Sequence, residues 1–132
     1  MKTIATDFDR TLSQYEGSKD FRPYGPFGPP IPAMYFRVKQ WIDNGDRVII
    51  FTARLSQHSE IIDYDTAKVA SAIQDWCESY GLPRLEVTNQ KLREFDELWD
   101  DKAVSVMENS GLAVSFLLDS DSVFSKIKPS QD

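Results

Sequence analysis

Asp7 and Asp9, separated by a single residue and preceded by Thr3-Ile4-Ala5-Thr6, are the first groups in the chain able to do chemistry. The preceding run favours an extended strand, in which alternate side chains share a face, so the two carboxylates start out aligned. If the strand ends there, both can converge on one cation, beyond the carboxyl end of a strand, where ligands of open α/β sheets bind. Later strand-like runs end at further reactive groups: Thr52-Ala53-Arg54, then Lys91 after Leu85-Glu86-Val87-Thr88, then Asp100-Asp101 after Glu97-Leu98-Trp99. With Thr11, the chain thus offers in order an Asp-x-Asp-x-Thr, a Thr, a Lys and an Asp-Asp. Hard carboxylate oxygens suit Mg²⁺, which keeps several waters and leaves a position for a phosphate oxygen. A lysine and a hydroxyl can neutralise and hold the other phosphoryl oxygens, so the set points to phosphoryl transfer.

Taken singly, each of these residues has an ordinary structural use. Asp is common in turns and caps, Thr52 could cap a helical turn, and Arg54 could pair with a structural carboxylate as easily as with a substrate. His58 reads as a polar loop residue, and Cys77, on an apolar helix face, reads as core. The opening Asp-x-Asp-x-Thr counts for little alone. The ordered set counts for more, because the ordinary uses do not predict the order.

The elements that must position these groups follow from periodicity. A strand is expected at about residues 2 to 8. Residues 13 to 32 hold Gly17, Pro23, Gly25, Pro26, Gly28, Pro29, Pro30 and Pro32, which forbid a continuous helix or central strand. The same segment carries Tyr15, Phe21, Tyr24 and Phe27, so it is expected to pack down, either as a flap-like loop on the cleft or as a surface Ω-like loop with structural aromatics. Met34, Val38, Trp41 and Ile42 then mark one face of a helix over 33 to 43, stopped at Asn44-Gly45. Arg47 to Phe51 is an apolar strand of the kind buried on both faces. Val69, Ile73, Trp76, Cys77 and Tyr80 predict a second helix after Asp65-Thr66, ending at Gly81. Two short strands follow, and their alternation with helices predicts a doubly wound parallel sheet, a Rossmann-like three-layer α/β/α core. A last strand over 111 to 118 and a helix over 120 to 128 are expected, though the two could be exchanged, and 129 to 132 should fray.

At 132 residues, this is one expected domain, 1–128, with no repeat and no internal boundary. A net charge of −6 with a pI near 4.7 argues against a sequence-independent grip on nucleic acid, which needs a basic face. Cys77 is the sole cysteine, which rules out an internal disulfide and favours a reducing compartment. No apolar run has the length of a secretory signal or a membrane span, so a cytoplasmic protein is expected.

With these residues in place, the chain resembles a phosphohydrolase of the haloacid dehalogenase superfamily from residue 4 to about residue 106. The resemblance implies that Asp7 is the nucleophile, forming a phosphoaspartate, and that Asp9 is the general acid and base. It implies that Thr52 and Lys91 bind the phosphoryl group, with Thr11, Ala53 and Arg54 lining the substrate site. Mg²⁺ would be held by Asp7, Asp101, Asp100 as helper and the backbone carbonyl of Asp9. Arg10 departs from the family pattern, where Gly is frequent. Lys102 also lies near the acidic pair, but Lys91 follows the third strand, where the motif falls.

Among rival readings, a calcium loop fails because its fifth, sixth and twelfth positions would be Thr11, Leu12 and Ser18. A phospho-receiver or phosphate-binding module without turnover is closer. There, however, the acidic pair follows the first strand, and here it comes late. The intervals after the first and second motifs hold only the Pro-rich loop and one helix, so no cap domain is expected. An open site fits a phosphorylated polymer end or protein, or a small substrate enclosed by a second copy in a homo-oligomer.

Overall fold

The computed structural model of the chain describes residues 1–15, 22–56 and 64–114. In chain order these form β1 (Thr3–Thr6), α1 (Pro32–Asp43), β2 (Arg47–Phe51), a short 3₁₀ turn (Ala53–Leu55), α2 (Thr66–Ser79), β3 (Glu86–Thr88) and β4 (Glu97–Trp99). The four strands are all parallel, in the order β3-β2-β1-β4. This is a small α/β fold with a parallel sheet, and α1, β2 and α2 fall where periodicity places them. The chain steps from β1 through β2 to β3 on one side, then returns to lay β4 on the other side of β1. The order therefore reverses between β1 and β4, the kind of switch point beyond whose carboxyl strand ends ligands of open α/β sheets bind.

All four residues of β1 are buried, as befits a strand with a neighbour on each side. Ile4 pairs with Val48 and Thr6 with Ile50, so these four share one face. Val48 and Ile50 lie in one core with Met34 and Val38 of α1 and with Val69, Ile73, Trp76 and Cys77 of α2. The Tyr35 hydroxyl of α1 donates to the Tyr80 carbonyl at the end of α2 over 2.6 Å, fixing the helices side by side. Both helices thus cover the same face. The reason is topological: two successive crossovers that step the same way along a sheet, with the same hand, lie on the same face. The described residues show this one helical layer, and the further helix expected over 120 to 128 lies outside them.

Local chemistry sets the helix limits. Pro32 stands in the first turn of α1, where its fixed φ is already helical and no N–H is needed. Asp65 caps α2 by accepting from the backbone N–H groups of Ala67 (2.9 Å) and Lys68 (3.4 Å). No helix among the described residues is long and apolar enough to cross a membrane.

The Pro-rich stretch is strapped to the core instead of folded into elements. Ser13 and Pro30 form an antiparallel bridge, Gln14 N–H donates to Pro29 O (2.9 Å), and Ile31 N–H donates to Leu12 O (2.8 Å). The Gly28 carbonyl accepts from Trp76 Nε1 (2.8 Å) and Ser13 Oγ (3.2 Å). Only glycine fits there, because a Cβ would stand 2.1 Å from the Gln14 carbonyl oxygen. Phe27 packs edge-on to Phe8, ring centroids 5.2 Å apart. Phe21, expected to join the flap, and His58 lie outside the described residues.

The chain divides into two compact units, Met1–Asp101 and Lys102–Asp132. In the second unit, residues 102–114 form a tight reversal with a Val106–Ala113 bridge, Met107 N–H to Leu112 O (2.7 Å) and Val114 N–H to Ser105 O (2.9 Å). Asn109 (φ 59°) and Gly111 (φ 74°) supply the left-handed residues that such a turn needs. The described part of the strand expected at 111 to 118 holds that bridge alone. The remainder, the helix at 120 to 128 and the tail lie outside the described residues.

Candidate functional site

Asp7 follows β1 directly, and its backbone N–H donates to the Trp99 carbonyl over 2.8 Å, clamping the end of β1 to the end of β4. Residues leaving β4 must therefore pass beside Asp7. Carboxylate oxygens of Asp7, Asp100 and Asp101 lie within 4.8 Å of one another. The chain after Asp7 turns back sharply, with the Phe8 carbonyl accepting from Leu12 N–H (2.9 Å) and Ser13 N–H (2.8 Å). Arg10 takes a left-handed conformation (φ 67°) within this turn, a place where glycine would be unstrained. The turn returns Thr11 to the acids: its hydroxyl oxygen accepts from Asp101 N–H (3.2 Å) and lies 3.2 Å from Asp101 Oδ1 and 3.5 Å from Asp7 Oδ2. One hydroxyl proton serves one acceptor at a time, so Thr11 braces the pair, and the shorter contact takes the proton first.

Burial pushes the Asp7 carboxyl up to about 7; a hydrogen bond shared with Asp101 and the charges of Asp100 and Asp101 push the same way, and the Phe8 N–H on Asp7 Oδ1 (2.8 Å) opposes them. Three acids drawn from two strands are thus held closer than their charges favour, a cost that a divalent cation would remove. Carboxylate oxygens so grouped are donors of the hard type that could hold a divalent cation such as Mg²⁺.

Asp9 does not join this cluster with its side chain. Arg54 Nε donates to Asp9 Oδ2 (2.7 Å) and Nη2 to Oδ1 (2.9 Å), a bidentate pair. The Arg54 side chain is only 6% exposed. Its Nη1 donates to the Arg22 carbonyl (2.8 Å), and its guanidinium lies 4.8 Å from the Phe27 ring centre and 5.6 Å from that of Tyr15. The 3₁₀ turn after β2 aims it: Thr52 Oγ1 accepts from Arg54 N–H (3.1 Å), closing the turn at its start. Of the two uses open to Arg54 in the sequence, pairing with a carboxylate is the one seen, and the carboxylate is Asp9. Any share Asp9 has in a cation site falls to its main-chain carbonyl.

The other expected site residues are placed as follows. Thr52 is buried at the end of β2, and the cap uses its oxygen but not its hydroxyl proton. Ala53 opens the 3₁₀ turn. Lys91 is exposed in the loop after β3, two strands from β1, and makes no hydrogen bond or ion pair with a described residue. Lys102 begins the second unit. Cys77 is buried core, its thiol pushed up to about 11 by burial. Sequence reasoning did not single out Phe27 and Tyr15 as neighbours of Arg54; the signal available was aromatic residues in a segment with no periodicity.

No protein-family profile matches the chain, and no curated protein is significantly similar to it. A solved structure of a conserved protein from Bacteroides thetaiotaomicron is similar over 80% of this chain and 79% of its own, with 23% identity and a TM-score of 0.49. At that level the likeness carries no argument about function.

Proposed function

We propose that the protein is a Mg²⁺-dependent phosphomonoester hydrolase that works through a phosphoaspartate, a small capless member of the haloacid dehalogenase superfamily. The observation that supports it most is the convergence of Asp7 with Asp100 and Asp101 where the strand order reverses. In the first step an Asp7 carboxylate oxygen bonds to phosphorus as the bond from phosphorus to the ester oxygen breaks, and Asp9, protonated on a lone pair outside the Arg54 fork, gives that proton to the departing oxygen. In the second step a water attacks phosphorus, Asp9 takes the water's proton, and the Asp7–phosphorus bond breaks to free inorganic phosphate and the Asp7 carboxylate. Asp7, Asp100, Asp101 and the Asp9 carbonyl would hold Mg²⁺, which supplies charge neutralisation between an anionic nucleophile and an anionic substrate. The Thr52 hydroxyl and Lys91 would hold phosphoryl oxygens, Lys91 by moving in from its exposed loop. The substrate is a phosphorylated small molecule or polymer end.

A phosphate-binding or phospho-receiver module without turnover is the second reading, favoured by the commitment of both Asp9 oxygens to Arg54. Rates on a panel of sugar phosphates, nucleotides, 3′-phosphorylated oligonucleotides and nitrophenyl phosphate, with and without Mg²⁺, separate the two. Asp101→Ala should abolish turnover, and Asp100→Ala should weaken it less. Absence of Mg²⁺-dependent hydrolysis across the panel favours the binding module, and undiminished rates in both variants at limiting Mg²⁺ refute the metal assignment.

A further inference from the structure

We propose that Arg54 is a positioning residue for Asp9, and that through it the Pro-rich strap at 22–31 sets where Asp9 points. This rests on the acid and base role given to Asp9 above. A carboxylate turns about two single bonds, and a lone hydrogen bond leaves much of that freedom. The Arg54 fork occupies Oδ1 and Oδ2 together, and two parallel bonds to a planar guanidinium fix the carboxylate plane.

The fork is itself held by the strap. Its remaining terminal nitrogen, Nη1, donates to the Arg22 carbonyl, and its guanidinium carbon lies over the Phe27 ring. Phe27 in turn stands edge-on to Phe8, the residue before Asp9, so the contacts close a loop from Phe8 through Phe27 and Arg54 to Asp9. At the other end the strap is pinned by Gly28 and Pro29, whose carbonyls accept from Trp76 Nε1 and Gln14 N–H. A shift of the strap therefore moves the guanidinium, and with it the Asp9 carboxylate. Lysine cannot reproduce this, because an ammonium is a point donor without a fork.

A purely structural ion pair would support the fold and leave the chemistry's dependence on the leaving group untouched. Positioning of Asp9 predicts a signature shared with loss of Asp9 itself. Arg54→Lys, Phe27→Leu, Asp9→Asn and the double variant Arg54→Lys/Asp9→Asn are assayed with Mg²⁺ on an alkyl phosphate and on nitrophenyl phosphate. Because general-acid help is worth roughly a hundredfold or more and matters little for an acidic phenol, Arg54→Lys should lower kcat at least about tenfold on the alkyl ester and under about threefold on the aryl ester. Phe27→Leu should show the same pattern at smaller size. Asp9→Asn should make Arg54→Lys nearly silent, since residues acting through one another are not additive.

Equal losses on the two esters, or losses that multiply in the double variant, overturn the positioning role while leaving the phosphatase reading intact. A parent chain that hydrolyses neither ester overturns that reading, and the positioning role with it. Melting curves accompany each variant. If neither Arg54→Lys nor Arg54→Gln melts cooperatively, Arg54 is a strut of the fold and the proposal falls.

Discussion

Asp7 and Asp9 carry the same side chain two residues apart, and the fold gives them opposite company. Asp7 faces two other acids and Asp9 faces a buried guanidinium. The pairing of Asp7 with like charge has a measurable consequence. Its folded pKa of about 7 lies above the ordinary carboxylate value, so between about pH 4 and 7 the native state keeps a proton that the unfolded chain has lost. Without a divalent cation, stability should therefore fall as pH rises through that window and level off above it. Mg²⁺ held by these acids, as proposed, would compete with that proton, so its stabilising effect should be larger at about pH 8 than at about pH 5.5. Asp7→Asn should remove the pH slope and most of the Mg²⁺ effect, and thermal melts at the two pH values, with Mg²⁺ and with chelator, read both. At this scale the sequence shows the acids but not their company. The partner of Arg54 depends on a three-residue 3₁₀ turn, which is too short to leave a periodic signal.

The long elements were legible because burial imposes a period on them. α1 and α2 each repeat apolar residues on one face, and the chain ends each at glycine, Gly45 and Gly81, both left-handed here (φ 87° and 81°). β3 and β4 have only three residues apiece and were legible from the groups around them instead. The strap was readable as a segment that cannot be helix, but its route was not, since main-chain bonds to Trp76, Gln14 and Leu12 leave no mark in side-chain pattern. Gly28 is where that route is tightest. Gly28→Ala drives a methyl group into the Gln14 carbonyl and should cost about 1–3 kcal/mol, measured by chemical denaturation. It should also lower kcat more on alkyl than on aryl phosphates, because the strap carries Arg54. A variant of parental stability would show that the strap moves aside without penalty.

Over the whole of the first unit, the decisive fact is the return of the chain across β1. The sequence gives four strand ends in order, but not which of them become neighbours, because sheet order is set by long-range pairing and leaves no local trace. Had β4 added beyond β3, Asp100 and Asp101 would stand three strands from Asp7. Instead, Asp7 N–H bonds to the Trp99 carbonyl, and Ala5 registers with Leu98, so the three acids meet at the ends of two adjacent strands. A net charge of −6 supplies no general field that would draw in a phosphate dianion, so on the proposed reading the site's own groups would have to do so. The central claim is that Asp7 takes up the phosphoryl group there. The direct measurement is acid quench of a single turnover with nitrophenyl phosphate and Mg²⁺, followed by mass spectrometry of the peptide containing residues 3 to 10. Phosphate should appear on Asp7 in the parent, accumulate in Asp9→Asn, where the second step has lost its base, and be absent in Asp7→Asn. Turnover with no phosphorylated Asp7 in the parent or in Asp9→Asn, or undiminished turnover by Asp7→Asn, contradicts the account.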